Sequence, residues 1–265
     1  MRPISSGKTD RGGRRLKNED SIGVFDNLGL YVVADGMGGH AAGDVASRTA
    51  VEAVRARVKT SATITVNDVS DEADAGQRLL EAVDFANKEV LKKASSDPLL
   101  KGMGTTIAAV LLDRLTGIEG EGGEEAGARG RPTGLALAHV GDSRIYLFRN
   151  GELSRLTRDH SLVEDLVAEG RITPGQARVH PFRNVVTRAL GTKEDVQADI
   201  SRLVPEPGDM LLLCSDGLTG MLEDLKIAEI MALGAGSPFV CADVLVRAAN
   251  KAGGDDNISA VVLKF

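Results

Sequence analysis

Leu30-Tyr-Val-Val-Ala-Asp35-Gly-Met-Gly-Gly-His40-Ala-Ala-Gly43 decides how the rest of this chain is read. The apolar run over 30–34, with two valines, predicts a buried strand. It ends on an aspartate, followed by four glycines within eight residues. A carboxylate at the mouth of a buried strand is costly unless something positive meets it. Glycines there permit a tight turn and let a backbone carbonyl approach a ligand closely. A hard metal ion accounts for both features, because it takes carboxylate and carbonyl oxygens.

The design recurs. The run Met210 to Cys214 leads through Ser215 to Asp216-Gly217, and Leu135 to Val140 leads to Gly141-Asp142. Gly254-Asp255-Asp256-Asn257 precedes the apolar run 258–263, and Glu19-Asp20 precedes 22–25. A two-metal hydrolytic centre needs such a collection: ions about 3.5–4 Å apart share one acid and have others on each side. Any single Asp-Gly is equally well a turn. Repetition at separate strand ends favours the metal.

A chain of 265 residues suits one domain with ample core. Aromatics make up 3%, with no Trp, so the core must come from Val, Leu, Ile and Ala. Net charge is −6, which disfavours non-specific nucleic-acid binding. Cys214 and Cys241 sit far apart within apolar stretches and are expected to be buried free thiols. No run approaches the 18 or so apolar residues of a membrane span, and the N-terminus has no signal-peptide pattern. A soluble, cytoplasmic protein is expected.

Helical spacing of small apolar residues predicts a helix over 43–58, a polar connection over 59–74, and a second helix over 75–95 closed by Asp97-Pro98. Strands are expected over 107–112, 135–140 and 144–148, the last followed by the hairpin signal Asn150-Gly151. Residues 116–132, rich in Gly, Glu and Arg, read as a long loop. A helix is expected over 159–169, an irregular segment over 171–184, two helices over 223–233 and 239–251, and a last strand over 258–263. Residues 1–20 show no strand pattern. Eight to ten strands with helices in two separated pairs imply antiparallel sheets covered by helices, an α+β architecture.

With these residues in hand, the sequence resembles the metal-dependent protein Ser/Thr phosphatases of type 2C, in their bacterial form. The matching pieces run in the family's order: Arg11 to Asp20, Val33-Ala-Asp35-Gly-Met-Gly, Gly102-Met-Gly-Thr-Thr106, Val140-Gly-Asp142-Ser-Arg144, Leu213-Cys-Ser-Asp216-Gly-Leu218 and Gly254-Asp-Asp256-Asn257. Each alone is weak; six in order, spanning nearly the whole chain, is a strong signal. The resemblance implies an α-β-β-α sandwich of two packed antiparallel sheets flanked by helix pairs, with metals at one edge. It implies one catalytic domain over 1–265, with a flap over 160–190.

The same resemblance implies the roles. Asp35 would bridge two metals and the Gly36 carbonyl would bind one of them. Asp216 and Asp256 would hold the first metal, and Glu19 would support the second. Asp142 would share a third ion with Asp216, Asp20 would orient metal-bound water, and Arg15 would grip phosphate. The expected cofactors are two Mn²⁺ or Mg²⁺ ions with room for a third. The expected reaction is attack of a metal-bridging hydroxide on phosphoserine or phosphothreonine in proteins, opposing Ser/Thr kinases, by a monomer. Animal members carry a histidine where this chain has Met37, so the proton donor to the leaving group is open between a metal-bound water and His40.

Other readings remain. Gly36 to Ala41 fits a dinucleotide fingerprint, but Asp35 would repel a pyrophosphate and no βαβ unit follows. A catalytically inactive phosphoprotein-binding regulator would share this fold, although every expected acidic position is filled. Hydrolysis of nucleotides or nucleic acid lacks a basic stripe to support it. Arg14 and Arg15 could be a solvated charge pair, and Asp255 competes with Asp256 as a ligand. His139 is expected to be a hydrogen-bonded strand residue, and His160 and His180 to be flap or surface residues.

Overall fold

The computed structural model describes residues 2–38, 42–64, 74–113 and 134–265, with the side chains of 62–64 excluded. His40 and the 116–132 loop lie outside the described residues. Among those described, strands form two antiparallel sheets. One runs β1 (Ile4–Asp10), β11 (Ile258–Lys264), β10 (Met210–Cys214), β7 (Arg144–Arg149), β8 (Glu152–Arg155). The other runs β2 (Asp20–Phe25), β3 (Leu30–Met37), β5 (Ile107–Asp113), β6 (Gly134–Val140), β9 (Asp199–Leu203), with the two-residue β4 (Gly104–Thr105) paired to the end of β3.

Alternation along the strands sorts side chains into three apolar layers. Tyr31, Val33, Val110, Leu137, Ile145, Leu211 and Val261 interleave between the sheets. From the opposite face of β3, β5 and β6, Leu30, Val32, Ala109 and Ala138 meet helices α1 (Gly43–Ile64) and α2 (Ala75–Ser96). Tyr146, Leu212, Ala260 and Val262 meet α6 (Asp224–Gly234) and α7 (Pro238–Ala252). The result is the expected α-β-β-α sandwich. Both sheet faces are covered, which is why the central strands read as continuous apolar runs.

Five elements differ from expectation. β1 and β9 were not legible: each lies at a sheet edge and is mostly polar, pairing with β11 and β6 through backbone alone over most of its length. Helix α1 continues through 59–64, because Thr60 and Ser61 return their hydroxyls to the carbonyls of Ala56 and Val58 and no Gly or Pro interrupts. The helix expected over 159–169 starts only at Leu162 (α3, Leu162–Ala168), capped by Ser161, because Asp159 and His160 are committed to buried contacts. A short α4 (Pro174–Arg178) interrupts the irregular segment. No described helix is long and apolar enough to cross a membrane.

Candidate metal centre

The strand ends bring the predicted acids to one rim of the sandwich. Asp20 and Asp35 face each other as register partners of β2 and β3. Asp142 follows β6, Asp216 opens the short α5 (Asp216–Thr219) after β10, and Asp256 precedes β11. Threonines hold Asp35 in place: its N–H donates to Thr106 Oγ1 at 3.0 Å, and its carbonyl accepts from Thr105 Oγ1 at 2.8 Å. Asn257 ties the Arg11-to-Glu19 loop to the rim. Its Nδ2 donates to the Arg11 and Lys17 carbonyls, each at 2.8 Å, and its Oδ1 accepts from Glu19 N–H at 2.7 Å. Arg15 is thereby brought over Asp256, with Nη2 2.5 Å from Oδ2.

Close backbone approach also shapes the rim. A Cβ on Gly43 would lie 2.8 Å from the Gly36 carbonyl oxygen and 2.9 Å from Glu19 Cδ. The Gly36 carbonyl and the Glu19 carboxylate therefore come together only because residue 43 has no side chain. A further acid, Asp44, joins them from the first turn of α1; its Oδ1 is buried without a hydrogen-bond partner. Sequence reading missed Asp44, since an acid in the first turn is what any helix favours. The separate competitors resolve as well: Arg14 lines the cleft but pairs with Asp255, which lies outside it, whereas Asp256 turns in and pairs with Arg15.

Charge is poorly balanced here. Burial, and then Asp20, Asp216 and Asp142, hold the Asp35 carboxyl well above the usual range. Burial and Asp216 do the same to Asp142. Burial and Asp256 raise Asp216, against the relief supplied by a hydrogen bond with Asp35 and by Arg15 and Arg144. Burial raises Glu19 and Arg15 opposes it, while Asp44 and Asp256 add to the rise. Asp20 is pushed to about 7 by burial, although the hydroxyls of Ser259 and Ser215 both donate to its Oδ2. Its Oδ1 and Asp216 Oδ1 are buried with no partner. Ionised carboxylates packed this way cost several kcal/mol each unless compensated. An oxygen-only donor set with orphaned oxygens fits hard divalent cations; the acids and the Gly36 carbonyl lack only the positive charge.

The cleft above the cluster has a volume of about 810 Å³ and is lined by Arg15, Lys17, Met37, Asn184 and Val186 as well as the acids. Asn184 and Val186 come from the 160–190 segment, which is closed on itself by the bridge Ser161↔Val186 and docked to the sheet by Thr105↔Leu190. One histidine departs from expectation. His139 is not hydrogen-bonded: both ring nitrogens are buried without partners, and burial, then His160, lowers it to about 4. His160, expected as a flap or surface residue, opens the 160–190 segment and is buried there, 6% exposed, its ring 4.6 Å from that of His139. Both are buried by contacts between segments far apart in the chain, which local pattern does not report.

A family profile described as Protein phosphatase 2C matches residues 11–237. The serine/threonine phosphatase stp of Listeria monocytogenes is 38% identical over 97% of this chain and 94% of its own length. Stp1 from Staphylococcus aureus superposes with a TM-score of 0.83 at 30% identity, covering 100% of this chain and 96% of that one. The catalytic domain of the phosphatase PstP, solved in complex with 2 manganese ions, superposes at 0.79 with 34% identity, covering 99% and 97%.

Proposed function

The chain belongs to the protein phosphatase 2C family, and from that premise we propose that it is an active, divalent-metal-dependent phosphatase removing phosphate from serine and threonine side chains of proteins. One observation carries the reading at this chain's own residues. Carboxylates from separate strand ends meet at one rim, buried, with oxygens left unpartnered. A catalytically inactive regulator has no need of such a costly arrangement.

Asp35, Asp216, Asp256, Glu19 and the Gly36 carbonyl would hold two ions, Mn²⁺ or Mg²⁺, and Asp142 with Asp216 a third. When bound, such ions supply hydroxide at neutral pH and offset phosphate charge. The chain's own groups do the rest. Arg15 presents a planar fork at the cleft mouth that matches two phosphate oxygens. Its guanidinium is desolvated, which alone would lower its pKa, but Asp256, Glu19 and Asp216 outweigh this and raise it. Asp20, anchored by Ser215 and Ser259, keeps Oδ1 free to orient water by accepting its proton. Met37 lines the cleft where animal members have a histidine and donates no proton.

Side chains that might form a phosphoenzyme are withdrawn. Cys214 and Cys241 are fully buried, with burial pushing their thiols up to about 12 and about 11, and the Ser215 hydroxyl is committed to Asp20. We assign the attack to water rather than to a protein side chain. We assign 1–265 as one catalytic domain with 160–190 as its flap, acting as a cytoplasmic monomer on the products of Ser/Thr kinases. The test is phosphate release from phosphothreonine peptides with Mn²⁺, with EDTA, and in competition with nucleotides. Metal-dependent release that nucleotides do not suppress is expected; no release at any metal concentration refutes the reading.

A further inference from the structure

His160 forms hydrogen bonds to both peptide groups flanking the Gly141 Cα, and the reaction as described leaves them unused. Its ring Nδ1 accepts from the Gly141 N–H at 3.1 Å. Its own backbone N–H donates to the Gly141 carbonyl at 2.7 Å. Gly141 sits at φ +109°, a conformation closed to other residues here, and a Cβ on it would lie 2.6 Å from Thr106 Cγ2. The next residue is Asp142. Among the described residues, no side chain donates a hydrogen bond to the Asp142 carboxylate, so its direction is set by the backbone that carries it.

The ring is fixed from its other side too. A nitrogen accepting a backbone N–H carries no proton, so in neutral His160 the proton lies on Nε2. Nε2 stands 3.1 Å from Asp199 Oδ2, to which it donates; Arg188 Nη1 lies 3.2 Å from Nε2 and donates to Asp199 Oδ1 at 3.1 Å instead. Burial, with Arg188 assisting, lowers the His160 pKa and favours the neutral ring. His139, His160 and Asp199 do bring possible ligand atoms within 4.8 Å of one another. The tautomer argues against a metal there: protonated Nε2 has no lone pair to give, and the Arg188 guanidinium already neutralises Asp199.

We propose that His160 is a positioning residue: by holding Gly141 at both its N–H and its carbonyl, it aims the Asp142 carboxylate at Asp216 and so couples the root of the 160–190 segment to the ion those two acids share. This rests on the assignment of Asp142 as a metal ligand. Losing a residue that orients a ligand typically weakens metal affinity about 10- to 100-fold.

Asn and Gln separate the two ends of the ring. Asn places its carbonyl oxygen where Nδ1 lies and keeps the Gly141 bond; Gln places its amide nitrogen near Nε2 and keeps only the Asp199 bond. The experiment is calorimetric titration of Mn²⁺ into the parent, H160N, H160Q, H160A, D142A and D142A/H160A, with melting curves for each. D142A is expected to lose the weakest class of Mn²⁺ sites. H160A and H160Q should weaken that same class by about 10- to 100-fold, H160N should retain it, and D142A/H160A should bind like D142A. If H160A does not fold, the Asn–Gln contrast decides alone. Parent-like Mn²⁺ binding in H160Q, or equal losses in H160N and H160Q, overturns the inference and leaves the Asp142 assignment standing. Parent-like binding in D142A overturns that assignment, and the inference with it.

Discussion

Asp20→Asn should stabilise the metal-free protein and blunt its response to metal. Burial raises the Asp20 carboxyl from its ordinary 3.8 to about 7, with Asp216 and Asp256 adding to the rise against the two serine hydroxyls. The sign follows from proton counting. Between about pH 4 and about 7 the folded state binds more protons at this site than the unfolded chain, so stability falls as pH rises through that window and stays lost above it. The interval corresponds to roughly 4 kcal/mol as an upper bound. Asn carries no charge, still accepts from Ser215 and Ser259, and can turn its amide toward the neighbouring carboxylates. At about 2–4 °C per kcal/mol for a chain of this size, a Tm gain of up to about 8–16 °C is expected in EDTA at about pH 8. The gain should nearly vanish at about pH 4, where Asp20 is protonated in the folded state and only about half ionised in the unfolded chain. With saturating Mn²⁺ the Tm rise should be smaller in the variant than in the parent, because ion binding to the folded state is weakened. Thermal melts followed by circular dichroism measure all three. An equal gain at both pH values, or no gain in EDTA, refutes the reasoning.

Arg15→Lys keeps the charge but loses the fork, so KM for phosphopeptides should rise about tenfold with a smaller change in kcat; unchanged steady-state kinetics would contradict the assignment. Gly43→Ala inserts a methyl against the Gly36 carbonyl and Glu19, and should weaken Mn²⁺ binding about tenfold while α1 remains folded; calorimetry checks it. Asn257→Ala removes three hydrogen bonds from a site 5% exposed and should cost roughly 2–4 kcal/mol in urea unfolding, with loss of phosphatase activity as the Arg15 loop is released. Rapid quench with ³²P-labelled phosphopeptide should find no stoichiometric phosphoenzyme; finding one would overturn direct attack by water.

The central strands and the acids were legible for the same reason. A strand covered on both faces is apolar along its length, so an aspartate where the apolar run stops stands out: Asp142 and Asp216 lie just past β6 and β10, and Asp35 ends the apolar run inside β3, which pairs on to Met37. The edge strands β1 and β9 bury little, so Ile4–Asp10 and Asp199–Leu203 carry no apolar signal. Asp44 carries no signal of its own, since an acid in a first helical turn is ordinary; only the approach of Gly36, Glu19 and α1 marks it. His160 is legible only as a flap or surface residue; its burial comes from Gly141, His139 and Asp199, none of them near it in sequence. Spacing could place a candidate ligand; what orients that ligand depended on contacts across the fold.

Anomalous diffraction at the manganese edge, from crystals grown with Mn²⁺, tests the account most directly. Two peaks about 3.5–4 Å apart, with Asp35 between them and Asp216 and Asp256 on one of them, are predicted. Manganese bound elsewhere, with those three carboxylates left facing one another without an ion, would contradict it.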